Sequence, residues 1–249
     1  MPEITKPHIE IYTNLAALSQ AAAEKFARLA QAAVSERGCF FVCLSGGSTP
    51  ARAYQLLAQP PYRSHLPWEK MAFFWGDERM VPPDHPQSNY GQAYQILLSQ
   101  VPVRDENVHR IQGELLPAEA AQAYASLLQR WAEPGLSWPR FDLLFLGMGA
   151  DGHIASIFPG AYQKDTYSAP ALPVIAQYQG RPAKRITLTP VVFNSARQVV
   201  FLVAGADKAD ALRAVFGPGG KPEDWPARLI QPAEGEVLWM VDAAAAAMI

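Results

Sequence analysis

Across residues 141–160, FDLLFLGMGADGHIASIFPG, an apolar run stops at a cluster of glycines. The first side chains beyond it that exchange protons are Asp151 and His153. An imidazole titrates close to neutral pH, so it can take a proton from an attacking water and return it to a leaving group. A lone loop histidine is more often structural. Here a carboxylate stands two positions away, where it either orients the ring and raises its basicity or closes an Asx-type turn. Gly147, Gly149 and Gly152 permit tight or left-handed backbone and let a ligand approach the main chain. Their spacing formally matches the dinucleotide fingerprint, but that motif requires a long helix and an acid about twenty residues on. Pro159 cuts any helix short, and Asp165 lies in a polar stretch rather than at a strand end.

Three further groups have the right chemistry to join that pair. Ser45-Gly46-Gly47-Ser48-Thr49-Pro50 follows an apolar run, with Thr49 suited to cap a helix and Pro50 to begin it. Free N–H groups and the positive end of a helix dipole then meet at one point, an anion site best matched by phosphate. A tight loop with an ordinary cap is the plainer reading. No lysine follows the glycines in P-loop spacing, so nucleotide hydrolysis is not implied. Asp77-Glu78-Arg79 comes directly after another apolar run and reads either as a solvated turn or as part of the same rim. Lys208 falls in the first turn of a helix, where the dipole favours acids, so its charge suits a ligand.

The elements that must carry these groups alternate along the chain. Apolar or alternating runs at 8–12, 39–44, 71–75, 141–146, 184–188, 198–203 and 237–241 read as strands, with a weaker candidate around Val108 and Ile111. Helical spacing follows Asn14, Thr49, Ser88, Pro117, Pro190 and Asp207, and the alanine-rich tail reads as a short terminal helix. Residues 160–182 are polar, contain prolines and read as a long loop. Alternation without a repeat or linker predicts one doubly wound α/β domain, residues 1–249, with a single mainly parallel sheet flanked by helices, Rossmann-like in outline. Four strand ends would then place residues 45–49, 77–79, 151–153 and Lys208 at one rim, the usual ligand position in such sheets.

Composition narrows the partners. The chain has 249 residues, 49 % hydrophobic and 18 % charged, with a net charge of -2 and scattered basic residues. That leaves no electrostatic footprint for nucleic acid or an anionic membrane, and any anionic ligand must be small and locally held. The first ten residues lack an apolar signal core and no run is long enough to cross a bilayer, so the expected location is cytoplasmic. No obligate protein partner is indicated. Cys39 and Cys43 share one face of a strand and read as small core residues, and nothing nearby completes a metal site, so no metal is expected.

Taken together, LSGGSTP (residues 44–50), WGDERMVP (75–82), SNYG (88–91), GMGADGHIASIFPG (147–160), RITLT (185–189) and AGADKADAL (204–212) resemble the 6-phosphogluconolactonase family, within a superfamily that includes glucosamine-6-phosphate deaminases. The resemblance spans most of the chain. It implies a sugar-phosphate isomerase-like fold and hydrolysis of the δ-lactone of 6-phosphogluconate in the oxidative pentose phosphate pathway, without metal or organic cofactor. It assigns His153 as the base, with Asp151 beside it, and makes Arg79 the arginine of an acidic-Arg motif. It places the phosphate at Gly46, Gly47, Ser48 and Thr49 with Lys208, adds Arg185 as a further basic position, and puts Asp77, Asn89 and Gly149 in the same pocket. Arg79 serves the oxyanion or the phosphate on this reading. The deaminase pattern differs at Arg79, where it carries a tyrosine, and at Phe158, where it carries a glutamate. Ile154 stands where the lactonases usually have threonine, which fits a side chain pointing away from the pocket. A non-catalytic sugar-phosphate sensor is the alternative of another class.

Overall fold

The computed structural model describes residues 7–161 and 166–249. The first six residues, read above for a leader, and 162–165, which hold Asp165, lie outside the described residues. The chain runs β1 (His8–Tyr12), α1 (Leu15–Arg37), β2 (Phe40–Leu44), α2 (Ser48–Leu57), α3 (Tyr62–His65), β3 (Met71–Trp75), β4 (Asp77–Arg79), α4 (Asn89–Ile96), β5 (Val108–His109), α5 (Pro117–Arg130), β6 (Leu143–Leu146), β7 (Ala171–Ile175), β8 (Lys184–Leu188), α6 (Pro190–Phe193), β9 (Gln198–Val203), α7 (Ala209–Phe216) and β10 (Glu236–Asp242). Seven strands form one sheet in the order β1-β10-β9-β6-β2-β3-β5, every neighbouring pair parallel. Its inner strands are apolar because helices flank the sheet: β6 and β9 are buried at every position.

Local chemistry sets the element ends. The Asn14 side chain accepts from the Ala17 N–H to start α1, and Gly38, at φ 78, closes it in the left-handed conformation. Leu18, Ala22, Phe26, Ala30 and Ala33 form its buried face, and burial of one such Leu or Phe contributes roughly 1.5–3 kcal/mol. At the end of β2 remote from the site, the Asp142 carboxylate accepts from the Phe41 N–H and from Arg37 and Arg197.

A second sheet, β4-β8-β7, is antiparallel and was not expected as a separate unit. Between β3 and β4 the chain passes from one sheet to the other through the single residue Gly76, whose N–H donates to Leu44 and whose carbonyl accepts from Leu188. Residues 77–79 are therefore a buried strand and not a solvated turn. β7 lies within the stretch read as loop; Pro173 disguised it, and proline is tolerated because β7 is an edge strand. Three smaller expectations are also corrected. Helix α2 begins at Ser48 with Gly47 as its cap, so Thr49 and Pro50 are already helical. Lys208 is the cap of α7, at the end of a 3-10 turn. Residues 243–248 form turns rather than a helix.

Alternation in β4 sends Glu78 away from its neighbours. Its Oε1 accepts from the N–H groups of Arg79 and Asn89, and its Oε2 from Tyr90 N–H and the Ser88 hydroxyl. Burial raises the Glu78 pKa, and these four hydrogen bonds oppose that shift. A carboxylate suits four donors because it only accepts. In Glu78→Gln one oxygen becomes a donor facing a donor, with an expected loss of about 1–3 kcal/mol. A urea midpoint equal to wild type at unchanged m would refute this.

His109 packs between the rings of Phe74, at 4.7 Å, and Trp131, at 4.5 Å. Burial, with Arg130 nearby, pushes its pKa down to about 4. The unfolded chain then binds the proton more readily than the fold does, so stability is full above the ordinary histidine range and falls as pH drops toward 4. The expected loss is on the order of 1–2 kcal/mol. Denaturation at stepped pH should show this slope flattened in His109→Phe; an undiminished slope would assign it to other groups.

Candidate functional site

The parallel order places the site. From β2 the chain moves outward through β3 to β5, and from β6 it moves the other way through β9 and β10. β2 and β6 are neighbours, so the loops leaving their carboxyl ends diverge and open a crevice between them, the usual ligand position in such sheets. A cavity of about 310 Å³ occupies that crevice, within the range of small-molecule sites.

The β2 end delivers Ser45, Gly46, Gly47, Ser48 and Thr49 to the cavity. Gly47 has φ 107 and no side chain caps α2, so the helix start faces the cavity with backbone N–H groups. Gly46 must lack a side chain for a different reason: a Cβ there would lie 1.8 Å from Asn89 Oδ1. Asn89 in turn donates to the Asp77 carbonyl and carboxylate, at 2.9 and 3.0 Å.

The β6 end delivers a histidine and a carboxylate in contact. His153 Nδ1 lies 2.6 Å from Asp151 Oδ1, and the His153 N–H also donates to that oxygen. Partial burial works to raise the Asp151 pKa, but the hydrogen bond and charge of His153 outweigh it and hold the carboxyl below its usual range. Asp151 is thus an anion that only accepts, so Nδ1 donates to it, and in the neutral form of the ring Nε2 carries the lone pair. The His153 side chain is 13 % exposed and lines the cavity, whereas Asp151 stands behind it. Gly149 makes the pair possible, since a Cβ there would meet His153 Nδ1 at 2.1 Å and Asp151 Oδ1 at 2.5 Å. Ile154 points into the core and is fully buried.

The antiparallel sheet supplies the cations. Arg79 and Arg185 are direct cross-strand partners, 6 % and 2 % exposed. Arg79 Nη1 donates to the Gln87 carbonyl and Arg185 Nε to the Pro182 carbonyl. Among the described residues, the buried Arg79 Nε, Arg185 Nη2 and Asn89 Oδ1 have no hydrogen-bond partner. Burial lowers the Arg185 pKa, Arg79 and Arg181 add to this, and Asp77 opposes it. Lys208 completes the cationic wall and pairs with Asp207 at 3.0 Å. Asp77 Oδ2 accepts from Ser156, at 2.6 Å, which ties the β6 loop to the second sheet.

All the expected positions except Asp151 therefore face one cavity. Sequence reasoning missed Tyr178, Gln179 and Arg181, which line it from the tip of the β7–β8 hairpin. The available signal was Gln179-Gly180: both have positive φ, 50 and 66, as a two-residue hairpin turn requires. Ser156 gave no local signal.

Comparison with known proteins agrees with this geometry. The family described as glucosamine-6-phosphate isomerases/6-phosphogluconolactonase has a model that matches residues 13–239. A 6-phosphogluconolactonase from Synechocystis is 40 % identical over 245 residues, covering 95 % of each chain. One from Nostoc is 38 % identical, covering 97 % of this chain and 98 % of its own. The solved 6-phosphogluconolactonase of Trypanosoma brucei superposes with a TM-score of 0.84 at 29 % identity, covering 97 % of this chain and 98 % of that one. On the sequence match, the shared fold and the residues gathered at the crevice, the chain belongs to the glucosamine-6-phosphate isomerase/6-phosphogluconolactonase family.

Proposed function

We propose that this chain hydrolyses 6-phospho-D-glucono-1,5-lactone to 6-phospho-D-gluconate. The observation that carries the reading is an imidazole with a free Nε2, held by an anionic Asp151, in one cavity with a glycine-hydroxyl loop and a cationic wall. The Synechocystis and Nostoc relatives bear the name of that activity.

The substrate phosphate sits against residues 46–49, with Lys208 and Arg185 balancing its charge. That anchor directs the lactone carbonyl toward His153. Nε2 takes a proton from water as its oxygen bonds to C1, and the carbonyl electrons move onto oxygen. Arg79 stabilises this oxyanion in surroundings that exclude most water. The tetrahedral centre collapses, the bond from C1 to the ring oxygen breaks, and the imidazolium returns its proton to that oxygen. Asp77 and Asn89 hold the loops in register and do not exchange protons.

Because such lactones open spontaneously, the test is comparative: 6-phosphogluconate formation at slightly acidic pH with wild type, with His153→Ala and without protein. His153→Ala is expected to lose about 10² to 10⁴ in kcat. Equal rates in all three samples would exclude catalysis and leave the sensor reading. Ammonia release from glucosamine 6-phosphate, expected to be nil, would turn the assignment to deamination.

Arg185→Gln removes a charge-assisted contact to phosphate and should raise KM about ten- to a hundredfold with a smaller change in kcat. In parallel, inorganic phosphate should raise the melting temperature of wild type and do so less for the variant. An unchanged KM would remove Arg185 from the phosphate site.

A further inference from the structure

We propose that Phe158 is a positioning residue for His153, setting the plane of the imidazole that the hydrogen bond to Asp151 leaves undetermined. This rests on the functional reading above. The bond between Nδ1 and Asp151 fixes one ring atom, but the ring can still turn about that point. The backbone beneath gives little restraint. His153 lies on a loop containing Gly149 and Gly152, the latter at φ 80, with Ala155 at φ 47 in a conformation that residues with a side chain rarely adopt. Sites on loops reach working precision only when other groups lock the side chain.

That lock is present. The Phe158 ring stacks on the His153 ring, with centres 4.4 Å apart and planes inclined at 23°. Tyr178 meets the His153 ring edge-on, at 4.6 Å and 75°, and lies 5.8 Å from Phe158. Phe158 is held in turn by Arg185, whose guanidinium carbon lies 5.4 Å from its ring centre. Phe158 does not line the cavity, so its effect on turnover must pass through His153, whereas Tyr178 does line it. Face contact on one side and edge contact on another restrict the ring plane and keep Nε2 aimed into the cavity. The same ring links the base to one of the cations.

The test compares a flat and a branched replacement. Phe158→Leu keeps the apolar bulk and loses the plane, while Phe158→Tyr keeps both. With lactone as substrate, Phe158→Leu should lose about ten- to a hundredfold in kcat while KM stays within about twofold, and Phe158→Tyr should stay close to wild type. Should Phe158→Leu fail to fold, Phe158→Met, which also keeps apolar bulk without a ring plane, is expected to show the same loss in kcat. Independently of turnover, the His153 ring protons of the ligand-free protein should carry an upfield ring-current shift, retained in Phe158→Tyr and lost in Phe158→Leu. Wild-type kcat in Phe158→Leu, equal losses in both variants, or ring-proton shifts that ignore the substitution would overturn the positioning role. Absence of lactone turnover in wild type would defeat the functional reading instead, and the ring-proton comparison would still decide the placement of His153.

Discussion

Arg79 and Arg185 face one another across a β-ladder in the interior, and this is the constraint around which the site is arranged. Like charges directly opposite on neighbouring strands repel, and burial strengthens the repulsion because little water screens it. The two cannot move apart: backbone pairing fixes their Cα atoms, and carbonyls at Gln87 and Pro182 hold their heads. Asp77, on the same face of β4, offsets part of the charge. The remainder, with Arg79 Nε and Arg185 Nη2 unpaired among the described residues, is a standing preference for an anion. A folded chain that bears this cost without ligand would recover it on entry of the phosphate proposed above, which favours binding over maximal stability.

The repulsive pair has value only if the reacting groups stand beside it, and the division into two sheets brings this about. The parallel sheet contributes loops at its point of divergence, the glycine-hydroxyl loop from β2 and the loop of Asp151 and His153 from β6. The antiparallel sheet contributes the cations. Gly76 joins the two by the shortest connection available, and Asp77 fastens them again through Asn89 on one side and Ser156 on the other. A shift of either sheet would therefore stretch hydrogen bonds that converge on one carboxylate. Glycine is needed at Gly46 and Gly149 for this reason, since Asn89 and His153 occupy the volume a side chain would take.

Much of this was legible from the residues. Apolar runs that end in glycine located β2, β3 and β6, and the residues just after them proved to line one cavity. Such runs are informative because strands buried on both faces cannot carry polar groups until they leave the core. The antiparallel sheet was harder to read. β4 has three charged residues, which resembles a surface turn, and it is buried only because its two carboxylates and its guanidinium find partners outside the strand. β7 carries a proline and an exposed Ile175, and its pairing is set by a neighbouring strand rather than by its own alternation. Arg181 belonged to no strong pattern, since its place in the cavity depends on the hairpin turn at Gln179-Gly180.

The placement of β4 also accounts for the paired acids at its start. Asp77 and Glu78 are adjacent, yet strand alternation sends one carboxylate toward the cavity and the other behind it. Asp77 there neutralises and fastens, while Glu78 gathers the N–H groups of Asn89 and Tyr90 at the start of α4. Since Asn89 reaches back to Asp77, the two carboxylates grip one residue from its backbone and its side chain. An exchange of their roles by a one-residue slip would put Arg79 behind the strand and remove a cation from the cavity. The register of three residues thus decides whether the site has its charge at all, and the ladder to β8 fixes that register by pairing Arg79 with Arg185, the contact whose repulsion an anion in the cavity would relieve.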